Sequence, residues 1–200
     1  GEFDSDFDRS KIALFENENK ISANISASGS QLCFNNLHHG STYKVTVDRG
    51  FSDLNGLKLS DDATFNFNLP DSAANIFNTQ GMIVPPDGDL ASFSLESINV
   101  KKLYLDIYSI GTNNIDDINF YDLNGSDYDK KHVALQNGRL VKKLDIKTAF
   151  KSNERITSTI NLKKDLALGS GLYIIRVHNN KSGSEKIERY VSLIISDLSL

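Results

Sequence analysis

Tryptophan is absent from this sequence, cysteine occurs once, at Cys33, and proline only three times. A lone cysteine rules out an intrachain disulfide framework, so the fold must be held by a buried apolar core. No stretch approaches the roughly 20 consecutive apolar residues that a membrane-spanning helix needs, so no direct span is expected. Basic residues are not in excess. Lys and Arg total 22 against 26 for Asp and Glu, a net charge of −4, and the signs alternate along the chain. That excludes the basic stripe with which proteins hold nucleic acid. Helical periodicity is scarce as well.

What is present is period-2 alternation. Tyr43, Val45 and Val47 alternate with Thr42, Lys44 and Thr46. Phe65, Phe67 and Leu69 do so with Thr64, Asn66 and Asn68, and Leu103, Leu105 and Ile107 with Tyr104, Asp106 and Tyr108. Ile156, Ser158, Ile160 and Leu162 share a further parity. Tyr173, Ile175 and Val177 occupy one parity and Leu172 and Ile174 the other, the pattern of a strand buried on both faces. One buried face and one wet face mark antiparallel sheets. Turn signals separate the runs at Gly40-Ser41, Asn55-Gly56, Asp87-Gly88, Asn124-Gly125, Asn137-Gly138 and Ser170-Gly171. Short strands at this spacing predict a sandwich or barrel.

Apolar residues make up 39% of the 200, enough for a core in one or two domains. Gly1-Glu2-Phe3 reads as a cloning scar and is set aside. Pro70 followed by Asp71-Ser72-Ala73-Ala74 reads as a linker, which places one small β domain over 1–70 and a fuller sandwich over 71–200. Strands are expected over 12–15, 21–25, 31–34, 43–47 and 65–69 in the first. The second is expected to hold seven or eight. The Asn- and Asp-rich segment 113–129 is expected as a long loop flanking a short strand over 118–121, and 150–153 as a helical turn or loop.

Candidate chemistry is sparse. Cys33 is followed by Phe34-Asn35-Asn36, not by the C-x-E-Q context of a thioester, and Ser30-Gln31-Leu32 is not the small-residue pattern before a lipidated cysteine. It is expected to be a small buried hydrophobe. His38-His39 lacks nearby partners for a tetrahedral metal site and reads as a solvated turn, with His132 and His178 scattered. Asp4-Ser5-Asp6-Phe7-Asp8 imitates the opening of a calcium loop, but Arg9 and Phe15 stand where the loop needs Gly and Glu. Asp116-Asp117 and Asp87-Gly88-Asp89 read as turn chemistry. No nucleophile elbow or Ser/His/Asp set is visible. The sequons at Asn24, Asn124 and Asn180 matter only in a eukaryotic secretory pathway. No catalytic, cofactor-binding or metal site and no cofactor is therefore expected, and the chain reads as not an enzyme.

The order of motifs is more specific than the alternation. Leu32-Cys33-Phe34, Leu37 and then Gly40-Ser41-Thr42-Tyr43-Lys44-Val45-Thr46-Val47 resemble the strand–turn–strand "L-C-F…L-x-x-G-x-x-Y-x-V-x-V" of the bacterial alpha-2-macroglobulin family. Gly50-Phe51 and Asp53-Leu54-Asn55-Gly56-Leu57-Lys58-Leu59 resemble its following turn, and Pro70-Asp71 its domain junction. Gly81-Met82-Ile83-Val84-Pro85 is similar to the segment opening the next macroglobulin-like domain. Glu96-Ser97-Ile98-Asn99-Val100 with Leu103-Tyr104-Leu105-Asp106-Ile107-Tyr108 is similar to "V-N-V-x-x-x-x-V-x-V-Y-R-I", with Ser109 in place of Arg. Gly171-Leu172-Tyr173-Ile174-Ile175 resembles "P-G-x-Y-V-V" with Ser170 replacing Pro, and Ile195-Ser196-Asp197-Leu198-Ser199-Leu200 resembles "V-S-D-L-G-L". The likeness runs from about Gln31 to Leu200.

This resemblance implies two consecutive all-β, antiparallel sandwich domains from the N-terminal part of a bacterial protease inhibitor. It implies a location in the periplasm or cell envelope, a membrane-tethered full-length protein, and a framework role around bait and thioester regions that lie outside this chain. The implied partners are proteases, met through the full-length protein, and neighbouring macroglobulin-like domains of the same chain. An alternative is an Ig-like binding module of a surface adhesin or glycan-binding protein. Tyr104 and Tyr108, on the parity opposite Leu103, Leu105 and Ile107, would form its aromatic stripe unless they cover an interdomain contact or a second buried face.

Overall fold

The alternation becomes strand after strand in a computed structural model, which describes residues 7–22, 24–53, 55–77, 82–86, 91–111, 118 and 120–196. The chain divides into two compact units, Gly1–Ser72 and Ala73–Leu200.

In the first unit, β1 (Ile12–Glu16), β2 (Asn19–Ile21), β5 (Thr42–Val47) and β6 (Ala63–Asn68) form an antiparallel sheet in the order β2-β1-β5-β6. β3 (Asn24–Ser28) and β4 (Gln31–Asn35) form a separate hairpin. The expected single strand over 21–25 is thus two strands. The β1–β2 reversal is made by Asn17 and Glu18, both at positive φ. Two successive residues with φ > 0 define the type I′ geometry that matches strand twist. Leu14, Tyr43 and Val45 are buried, with Ile25, Leu32 and Phe34 of the hairpin packed against the same cluster. Cys33 is exposed, contrary to expectation. Leu32 and Phe34 turn toward the core, so the pleat sends the residue between them outward.

The second unit is a full sandwich. β7 (Asn75–Phe77), β9 (Ser92–Ile98) and β12 (Arg155–Asn161) make one sheet in the order β12-β9-β7. β8 (Met82–Val84), β10 (Lys102–Ile110), β11 (Gly138–Lys147), β13 (Gly171–His178) and β14 (Glu188–Ile195) make the other, in the order β11-β10-β13-β14-β8. All pairings are antiparallel except β8 on β14. Leu95, Leu103, Leu105, Ile107, Ile175, Val177, Val191 and Leu193 are sealed between the sheets. Each such side chain contributes on the order of 1.5–3 kcal/mol. Asn99 and Asn153, both at positive φ, tie two loops together. The Asn99 amide donates to Asn153 Oδ1 (3.0 Å), and the Asn153 backbone N–H donates to Asn99 Oδ1 (2.8 Å).

Of the segment expected as loop and short strand, residues 120–124 and 127–129 are instead helical. α1 (Phe120–Asn124) and α2 (Asp127–Asn137) link β10 to β11. The signal was local and polar: Ser126 and Asp129 form a reciprocal capping box, which satisfies two orphan donors of the first turn. Asn137-Gly138 therefore marks the junction of α2 with β11, not a hairpin. Leu123, Val133 and Ala134 pack with Ile110, Ile174 and Tyr190 on the outer face of the five-stranded sheet. That cover explains why β13 is apolar on both parities. The segment 150–153 is loop and turn.

Candidate functional site

Three places among the described residues gather chemistry, each within one unit. The first is the outer face of the five-stranded sheet in the second unit. Strand register sets Tyr104 beside His178 and His178 beside Glu188, and Asp106 beside Arg176. These side chains share the parity opposite the core, on the part of the face next to the apolar helix-covered patch. Arg176 bridges two carboxylates: Nη1 lies 3.0 Å from Asp106 Oδ2, Nε lies 2.9 Å from Glu188 Oε2, and Nη2 also meets Glu188. Glu188 further receives Lys186 (2.9 Å), Lys131 of α2 (3.1 Å) and the Tyr190 hydroxyl (3.0 Å). Lys143 approaches Asp106 at 3.7 Å.

Burial disfavours the charged form of Glu188, but hydrogen bonds from Lys186, Arg176, Lys131 and Tyr190 outweigh it and hold its carboxyl well below the usual carboxylate range. Burial and the Glu188 carboxylate push the Tyr190 phenol up. His178 stacks on Tyr104 with ring centroids 5.5 Å apart. Its Nδ1 accepts the Asn180 N–H at 3.2 Å, and Nε2 lies 3.4 Å from Asp106. Burial, then the Arg176 charge, lower its basicity against the opposing pull of Asp106. α2 also caps the sheet edge, since the Tyr190 N–H donates to Asp127 Oδ1 at 2.7 Å.

Tyr104 and Tyr108 are both half-buried. Tyr104 meets both His178 and the Lys102 ammonium (4.7 Å), and Tyr108 packs against the helix-covered cluster. The pair covers a second packed face and does not form a bare aromatic stripe. The charged residues of this face were missed in the sequence, although the signal was there. Asp106, Arg176, His178 and Glu188 are charged or titratable residues on one parity of otherwise apolar strands.

The second place is the turn carrying His38-His39. His38 Nδ1 donates to Glu16 (2.9 Å), the Tyr43 hydroxyl donates to Glu16 (2.8 Å), and the His38 backbone N–H donates to Tyr43 (2.7 Å). Hydrogen bonds from Ser41, His38 and Tyr43 lower the Glu16 pKa. His39 Nδ1 donates to the Pro70 carbonyl at 2.9 Å. The two histidines thus face different partners and clamp strand ends. Among the described residues no group of three or more His, Cys, Asp or Glu is placed to hold a metal. His132 lies exposed on α2. Asp8 caps a single 3-10 turn over 9–11, accepting the Ser10 N–H. Asp4, Asp6, Asp87, Gly88, Asp89, Asp116 and Asp117 lie outside the described residues. Asn24, Asn124 and Asn180 are all exposed.

The third place is an apolar cleft of about 620 Å³ in the first unit, walled by Leu32 and Phe34 of β4, Phe65 and Phe67 of β6, Phe51 and Leu57. Phe65 is 59% exposed although it shares the inward parity of Ala63 and Phe67. The sequence alternation indicated its orientation but not its exposure.

No family model and no curated protein matches the chain. Among solved structures, it is similar to a crystal structure of Salmonella alpha-2-macroglobulin reacted with methylamine (TM-score 0.69, 15% identity, 98% of this chain and 12% of that one). It is also similar to a cryo-EM reconstruction of the native conformation of E. coli alpha-2-macroglobulin (TM-score 0.58, 16% identity, 98% and 13%). A third likeness is to a crystal structure of native alpha-2-macroglobulin from Escherichia coli spanning domains MG0-NIE-MG1 (TM-score 0.53, 16% identity, 99% and 65%). The fold is macroglobulin-like. The chain spans only 12–13% of the two long macroglobulin chains, and at such identity the likeness concerns architecture. No helix among the described residues is long and apolar enough to cross a membrane.

Proposed function

We propose that this macroglobulin-like chain is a framework segment of a bacterial alpha-2-macroglobulin-like protease inhibitor of the periplasm or cell envelope. The observation that carries this reading is the fold likeness over 98% of the chain, which coincides with the ordered motifs from Leu32 to Leu200. The role is architectural. The segment holds its shape while a protease attacks a bait region elsewhere in the full-length protein, and any thioester also lies elsewhere. Rigid construction suits that role. The second unit has a core sealed between its two sheets, a helix-covered patch on the outer face of the larger one, a latch between Asn99 and Asn153, and the Arg176 ion-pair network.

Fold alone never settles function, so the test is a digestion map. When the full-length protein is mixed with a protease at low molar ratio, the first cuts should fall outside residues 7–196. A first cut inside either sandwich would overturn the framework role.

A further inference from the structure

The outer edge of β6 is open among the described residues. The Leu69 N–H donates to the Ser41 carbonyl at 2.9 Å, continuing the register in which Asn68 faces Thr42 and Ala63 faces Val47. The direction of the backbone groups alternates along an antiparallel ladder. The amides of Ala63, Phe65 and Phe67 therefore point to β5, and the N–H and C=O groups of Thr64, Asn66 and Asn68 point away from it. No described strand takes them, since β6 ends its sheet. Thr64, Phe65, Asn66 and Asn68 are exposed, Phe65 to 59%.

Free edges are normally blunted by charge, by proline or by short length. The other described outer strands of the three larger sheets follow that rule. β2, β7 and β8 have three residues each, β11 carries Arg139, Lys142, Lys143, Asp145 and Lys147, and β12 carries Arg155. β6 has six residues and neither charge nor proline. Its sequence also matches itself. With Asn66 opposite Asn66 of a second copy, Thr64 faces Asn68 and Phe65 faces Phe67. Phenyl rings then meet on the cleft side, amides and hydroxyls meet on the other, and no like charges are opposed. A register moved by one residue would turn every side chain of one copy to the wrong face. Phe65 and Phe67 are walls of the cleft, so this pairing covers the bare Phe65 ring together with the edge. We propose that two copies of this chain associate by pairing β6 with β6, antiparallel about a two-fold axis at Asn66, which joins two four-stranded sheets into one of eight strands. The two-fold makes every contact occur twice. A six-residue contact is small against the roughly 1,200–2,000 Å² of a stable interface, so the dimer forms and dissociates with concentration. The proposal goes beyond the framework role and does not depend on it.

The test is sedimentation equilibrium of the 200-residue chain between about 10 μM and about 1 mM, a range that spans weak association, with amide exchange followed by NMR at both ends. The weight-average mass should rise toward that of the dimer. Exchange of the Thr64, Asn66 and Asn68 amides should slow by at least about fivefold across the range, while the Phe65 and Phe67 amides, already bonded to β5, stay unchanged. Asn66→Lys sets two ammonium groups opposite each other at the axis and should abolish both signals. Asn66→Pro removes only the outward N–H, which an edge strand tolerates, and should do the same with the fold intact. Phe65→Ala thins both cross-strand aromatic pairs and should weaken the dimer by at least about threefold. A monomer at every concentration would overturn the proposal. So would a dimer that forms equally well with Asn66→Lys and Asn66→Pro, because its contact would lie elsewhere. Slow exchange of the three amides at every concentration would mean that another part of the same chain covers the edge, and would equally overturn it.

Discussion

Replacing Glu188 by Gln should destabilise the second unit more than an ordinary surface change does. The carboxylate is 14% exposed and meets Arg176, Lys186, Lys131 and Tyr190. Removing one member of a fully buried pair costs about 3–5 kcal/mol, because its partner is left charged and unpaired. Here the cost is smaller. Lys186 and Lys131 are 44% and 46% exposed and regain water, and Arg176 keeps Asp106. We expect about 2–4 kcal/mol. For a unit of this size that is roughly 6–15 °C in melting temperature, read by differential scanning calorimetry at pH 7. The pH dependence gives a second signature. The folded Glu188 carboxyl lies below its ordinary value, so its contribution is present above the unfolded value of about 4.3 and is lost as pH falls below it. The wild-type melting temperature should therefore drop more steeply from pH 5 downward than that of Glu188→Gln. A variant that melts within about 2 °C of wild type, with the same acid slope, would refute the reasoning.

Three further outcomes follow from the geometry. His178 should titrate below the ordinary value of about 6.5. The unfolded state then binds more protons, so part of the stability is lost as pH falls through that value. NMR titration of the His178 ring tests this, with slowed exchange of the Asn180 amide disappearing over the same range. Gly138→Ala should cost at least about 2 kcal/mol, because an added Cβ would sit 2.4 Å from the Ala134 carbonyl oxygen and 3.0 Å from Tyr108 Cβ, and overpacking of backbone is not relieved by rotamer change. Denaturant melts would show it. Cys33, exposed on β4, should react with a thiol reagent in the native state, and Cys33→Ser should change stability by no more than about 0.5 kcal/mol.

Alternation made most strands legible, because a sheet with one buried face writes its orientation into every second residue. Tyr43, Val45 and Val47 illustrate this, as do Leu103, Leu105 and Ile107. The helix pair was obscured because its apolar contacts are few. α2 buries only Lys130, Val133 and Ala134, too narrow a stripe to stand out among Asn and Asp. Its capping box at Ser126 and Asp129 was the readable clue. Cys33 was misread by residue type when the parity of Leu32 and Phe34 already pointed it outward. The ion-pair network could not be foreseen residue by residue, since strand register decides that Asp106 meets Arg176 and that His178 lies beside Tyr104. The open cleft was equally hidden, because a sequence shows which residues turn inward but not whether anything lies opposite them.

The framework role is tested most directly by comparing this chain with the full-length protein against a panel of proteases, scored by residual activity toward a bulky protein substrate. The account predicts that the 200-residue chain leaves every protease fully active and forms no adduct, while the full-length protein suppresses activity toward the bulky substrate. Inhibition by the short chain alone, or full activity in the presence of the full-length protein, would contradict it.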